Sequence, residues 1–275
     1  ANNNASNNLR FDDFQVIGSS PSSYSGVSAG AGAEPATISS LINTLAASSL
    51  NFDFLVTDDA NTVAANDALP TLISQIVIPQ GTGNDIADWT QAILGAELSD
   101  GTNTLTGTIN TTNITFSGIN TATLGNVADG TTKTYRLKIW LKTALGGTLP
   151  TTIDGLNFAF KIDRTNFITA STATSTQFES GTGTAVESGA TNNEVTVTAT
   201  KIVCTNTPGA TQYVGINFTT LPTVYAQDAN GNQDLNYSSN VTVINAGSLG
   251  MSNLPTAFSG GVLTFPANFQ YSAPG

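Results

Sequence analysis

Apolar side chains in this chain recur at every second position within short segments, and no other feature restricts the fold as much. Phe52, Phe54 and Val56 alternate with polar neighbours, and Tyr135, Leu137, Ile139 and Leu141 alternate with Arg136, Lys138, Trp140 and Lys142. Phe158, Phe160 and Ile162 repeat the pattern, as do Val195 and Val197. Successive side chains of a strand point to opposite faces, so this alternation buries one face and wets the other. Over many segments it predicts an all-β protein: antiparallel β-sandwich modules in tandem, of jelly-roll or Ig-like kind. Turn chemistry stands between the segments at Asp100-Gly101, Asp129-Gly130, Gly146-Gly147 and Asp154-Gly155. One short helix is expected over residues 86–94, capped by Asn84 or Asp85 and ended by Gly95. Its buried face would carry Ile86, Trp89 and Ile93.

The pattern divides the chain in three. Residues 1–20 read as the terminal strand of a preceding domain, from Leu9 to Ile17, followed by linker; the Ser/Gly/Ala-rich run from Gly18 to Ala33 has linker composition. Residues 21–198 form a β-sandwich module. Residues 199–275 form an Ig-like module with strands at 202–205, 214–218, Thr223–Gln227, 241–245 and 262–265, a strand or two short of complete. On this reading the chain is excised from something longer. Residues 9–17 and the last module would then be completed by neighbouring domains or other subunits. Leu-Pro-Thr recurs at Leu69, Leu149, Leu221 and Leu254, where proline opens a strand; none has the glycine or apolar tail of a sortase signal.

Composition excludes several functions. Charged residues make up 10% of the chain, against roughly 25% in ordinary globular proteins. The net charge of −11 leaves no basic patch for nucleic acid. Histidine is absent, so neither a Ser-His-Asp or Cys-His nucleophile system nor a His-ligated metal can form. Cys204 is the only cysteine, which rules out an internal disulfide, and it reads as a small buried hydrophobe. Only carboxylates remain for catalysis, and none of the five glutamates stands in a catalytic motif, so the chain is expected not to be an enzyme. No stretch reaches the ~20 apolar residues of a membrane helix, and the polar opening Ala1-Asn2-Asn3-Asn4 is no signal peptide. A polar, nearly neutral surface with no disulfide points to an extracellular setting on a bacterial cell.

Longer runs carry a resemblance. The segments Asp67-Ala68-Leu69-Pro70-Thr71-Leu72-Ile73-Ser74-Gln75-Ile76-Val77-Ile78-Pro79, Asp88-Trp89-Thr90-Gln91-Ala92-Ile93 and Leu98-Ser99-Asp100-Gly101-Thr102 are distinctive. So are Lys133-Thr134-Tyr135-Arg136-Leu137-Lys138-Ile139-Trp140-Leu141 and Leu149-Pro150-Thr151-Thr152-Ile153-Asp154-Gly155-Leu156-Asn157-Phe158. They resemble repeat modules of very large adhesins that gliding Bacteroidota export through the type IX system. The run Asp228-Ala229-Asn230-Gly231-Asn232-Gln233-Asp234 is similar to a turn of the Ig-like module that follows those repeats. The resemblance implies surface location, with a part in adhesion or gliding motility, and it brings no catalytic motif.

Three residue groups offer a site. Asp228, Asn230, Asn232 and Asp234 share the D-x-N-x-N-x-D spacing that opens a calcium loop. The sixth and twelfth positions are Gln233 and Ser239, which excludes an EF-hand and leaves an Asx-rich hairpin as the plainer reading. Asp58, Asp59 and Asp67 flank a polar loop where they either gather a hard cation or stand solvated; calcium is the one cofactor these groups suggest. Half of the eight cations, Lys133, Arg136, Lys138 and Lys142, lie on or next to one strand, with Trp140 on the same face. That stripe suits a sugar or an acidic surface polysaccharide, unless it is a solvated face whose lysines guard a sheet edge. The function classes left open are an adhesin stalk or display segment, a carbohydrate-binding module, and a filament subunit joined by strand exchange.

Overall fold

The Thr132–Leu141 strand shows how the sequence builds the sheets: Tyr135, Leu137, Ile139 and Leu141 are fully buried, while Arg136, Lys138 and Trp140 between them face outward. A computed structural model describes residues 23–60, 67–145, 153–209, 211–244 and 250–272 of the chain. The expected strand at 9–17, the Gly146-Gly147 turn and the Leu-Pro-Thr at Leu149 lie outside the described residues.

The protein is all-β, its sheets packed as a sandwich. One sheet has six strands, in the order Gln177–Phe178, Tyr24–Ala29, Phe52–Thr57, Thr132–Leu141, Ile93–Ser99 and Thr104–Thr106. The second has five, with Thr71–Pro79 between Phe167–Thr169 and Asn113–Ser117, Thr108–Ile109 beyond, and Asn126–Val127 on its other end. Pairing is antiparallel except where Tyr24–Ala29 meets Gln177–Phe178 and where Thr37–Ser39 meets Glu194–Thr196. The latter pair ties the start of the module to its end. Side chains of both sheets share one core, in which Phe54 and Tyr135, cross-strand partners, stack at 5.4 Å. Such a pair adds roughly 0.5–1.5 kcal/mol beyond its buried area.

Residues 199–272 have a separate, smaller core of Phe218, Val224, Ala226, Phe258, Leu263, Phe265 and Phe269. It lies under the three-stranded sheet of Lys201–Thr205, Thr223–Gln227 and Val262–Thr264 and the pair Gly250–Ser252 with Gln270–Ser272.

Several expectations change. The helix over 86–94 shrinks to one 3-10 turn, Trp89–Gln91, capped by Asp88, which accepts from the Thr90 amide. Ile86, Trp89 and Ile93 are buried as their spacing implied, but Ile93 opens the Ile93–Ser99 strand, and Gly95 lies inside that strand instead of ending a helix. Part of the presumed linker is a strand, Tyr24–Ala29, paired with Phe52–Thr57. Residues 214–218 make a turn and one isolated bridge, and 241–244 run as irregular chain, instead of strands, leaving Val214, Ile216 and Ile244 exposed. Cys204 is exposed too, because its strand is covered on neither face.

Candidate functional site

The two hairpin-like corners at one end of the six-stranded sheet bring carboxylates together. Phe52–Thr57 ends in Asp58 and Asp59, and the register Thr132↔Thr57 sets the Asp129-Gly130 turn beside them. Carboxylate oxygens of Asp58, Asp59 and Asp129 all lie within 4.8 Å of one another. Asp58 is buried and held by the Thr71 hydroxyl (2.5 Å) and the Gly130 amide (3.0 Å). Asp59 takes a positive φ of 54° and accepts a hydrogen bond from the Ser23 hydroxyl. One oxygen of Asp59 and one of Asp129 are buried without a hydrogen-bond partner. Burial, followed by the charges of Asp58, Asp67 and Asp129, pushes the Asp59 carboxyl up to about 6. Burial likewise raises Asp58, against the hydrogen bonds it accepts. Such a group relieves its repulsion by holding a proton or a hard, oxygen-seeking cation such as calcium. Asp67 stands aside, accepting from the Leu69 amide and the Thr176 hydroxyl, and acts on the cluster only through its charge. Asp129, which the sequence presents as a turn residue, takes the third place. Only the pairing of strands far apart in the chain reveals it.

The second acidic group forms the junction between the units. Asp228 is fully buried and accepts from the Asn232 amide (2.8 Å), the Asn232 side chain (2.9 Å) and the Ser40 hydroxyl (2.7 Å) of the first module. Burial pushes its pKa upward, but these hydrogen bonds outweigh it and the carboxyl ends below its ordinary value. Asn232 also reaches across, accepting from the Leu145 amide and donating to the Thr143 carbonyl, and Asn230 donates to Asn43. Asp234 accepts from the Ala199 amide at the connection itself. Asp154 completes the set from the other side, with one oxygen on the Val197 amide and the other on the Leu235 amide, each at 2.8 Å. Of the D-x-N-x-N-x-D set, Asp228, Asn232 and Asp234 thus turn oxygens toward N–H and O–H donors and not toward a cation, while Asn230 donates.

On the outer face of the six-stranded sheet, Arg136, Lys138 and Trp140 follow one another along the Thr132–Leu141 strand. Lys142 lies past the register shift at Trp140/Leu141; the Thr90 hydroxyl chiefly lowers the Asp88 carboxyl, and the Lys142 charge adds a minor part. Lys133 points elsewhere, pairing with Asp100 at 3.2 Å and donating to the Thr123 and Leu124 carbonyls. Among the described residues no helix is long and apolar enough to cross a membrane. No family model, curated protein or solved structure matches the chain.

Proposed function

We propose that this chain is a non-enzymatic segment of an extracellular bacterial surface protein, serving as a stalk or display module in adhesion or gliding motility. The observation that carries this reading is the junction. Asp154, Asp228 and Asn232 lock the two units through hydrogen bonds to backbone and side-chain groups, where a flexible tether would leave them to move separately. A segment that holds contact surfaces away from a cell or passes force along a chain needs that stiffness; a pair of independent domains does not. The likeness to type IX-exported adhesin repeats, and a polar surface poor in charge, support the same reading. The test is an in-frame deletion of residues 23–272 in the parent gene. Attachment to glass and gliding speed are expected to fall while the rest of the protein still reaches the surface. Unchanged attachment and motility would defeat the proposal.

A second reading, a filament subunit joined by strand exchange, draws on the Lys201–Thr205 strand. It sits at the edge of its sheet with Ile202 half exposed, a geometry that accepts an added strand. Concentration-dependent assembly in analytical ultracentrifugation distinguishes it: fibres would favour the filament, and a monomer up to millimolar concentration the stalk.

A further inference from the structure

The outer face of the six-stranded sheet has features that a solvated surface does not require. Thr132–Leu141 lies between Phe52–Thr57 and Ile93–Ser99, so it is an interior strand and its cations protect no sheet edge. Arg136 and Lys138 make no hydrogen bond or ion pair with any described residue, in a chain whose net charge is −11. Acidic neighbours on the face leave them unpaired. Asp53, opposite Arg136 in register, is buried and accepts from the Gly32 amide, and Glu97, opposite Lys138, forms no ion pair with it.

Trp140 is half buried, with its indole laid across Gly95 of the neighbouring strand. A Cβ at Gly95 would stand 2.2 Å from the indole, so only glycine leaves room for the ring to lie there. At the other end of the stripe Arg136 borders an open polar groove of about 500 Å³, lined also by Asn103, Asn126, Thr132 and Thr134. Asp100 is in that groove too, but its charge is met by Lys133. Trp140 lies four residue steps along the strand from Arg136, about 13 Å at the strand rise, which is the reach of a short oligosaccharide.

From this we infer that the outer face binds an acidic polysaccharide. A sugar ring stacks on Trp140, Arg136 and Lys138 take its carboxylate or sulfate groups, and the groove amides and hydroxyls take its hydroxyls. The inference goes beyond the display role, since it gives this segment a ligand of its own; a stalk that binds no glycan would leave that role intact.

The full chain, with EDTA present to exclude cation bridging, is run in affinity gels containing polygalacturonate, dextran sulfate, neutral dextran or duplex DNA. Retardation by polygalacturonate is expected, reversed by salt, with little retardation by neutral dextran. Retardation by dextran sulfate alone would also support the site and identify sulfate as the recognised group. Arg136→Gln with Lys138→Gln, changes on the outer face that leave the core untouched, should weaken binding at least 10-fold. Trp140→Ala and Gly95→Ala should each weaken it several-fold, while Lys201→Gln in the second unit should not. The inference fails if neither acidic polymer retards the parent chain, if the double variant binds like the parent, or if DNA or neutral dextran binds equally well.

Discussion

Removing the Asp154 carboxylate should uncouple the two units. Asp154 is buried and, among the described residues, is the hydrogen-bond acceptor for the Val197 and Leu235 amides, at 2.8 Å each. Hydrogen bonds to a charged group contribute about 1.5–3 kcal/mol each, and a buried donor left unpaired costs a similar amount. Val197 is buried, so its amide would stay unpaired, whereas Leu235 is exposed and water can replace part of the second bond. Asp154→Ala should therefore destabilise the chain by about 2–4 kcal/mol. The cost should fall on the coupling, because among the described residues the second core has seven buried apolar residues against 29 in the first and depends more on its neighbour. Both tryptophans, Trp89 and Trp140, lie in the first unit, so their fluorescence reports that unit alone while far-UV circular dichroism reports both. In urea the parent chain should give coincident transitions by the two probes. The variant should show circular dichroism falling first. Non-coincident curves in the parent, or coincident curves and a loss below about 0.5 kcal/mol in the variant, would refute the coupling.

Further outcomes follow from the same geometry. Leu137→Ala truncates a fully buried side chain and should cost about 2–5 kcal/mol in urea unfolding, whereas Lys138→Ala should be nearly silent. Asp59, raised from 3.8 to about 6, weakens the fold where it must ionise: the penalty is absent below about pH 4, grows between pH 4 and 6, and is complete above. Asp59→Asn should therefore raise the melting temperature at pH 7.5 and leave it unchanged at pH 3.5. Gly95→Ala should push the Trp140 indole off the sheet, seen as a red shift and stronger iodide quenching of its fluorescence.

How much of this could be read from the sequence depends on the range of the forces involved. Phe52, Phe54 and Val56, and Tyr135, Leu137, Ile139 and Leu141, are buried where a period of two places them, because the alternation itself selects the face. The helix expected at 86–94 fails for a local reason. Three- and four-residue spacing buries the same side chains in a bent, largely extended segment, and Asp88 closes only one turn before strand pairing takes over. The glycines near residue 30 read as flexible but serve close packing: a Cβ at Gly30 would lie 2.0 Å from the Asp53 carboxyl carbon. Asp129 joins Asp58 and Asp59 only through the pairing of strands some 75 residues apart, and no local pattern records that. The D-x-N-x-N-x-D spacing is visible, but whether its oxygens meet a cation or protein donors is decided by the Ser40 hydroxyl and the Leu145 and Ala199 amides.

The central claim, that this chain is displayed outside a bacterial cell, is tested most directly by immunogold labelling. Antibody raised against residues 23–272 is applied to intact and to permeabilised cells of the source organism. Display predicts dense gold on the outer face of intact cells, removed by brief protease treatment. Gold that appears only after permeabilisation would contradict it.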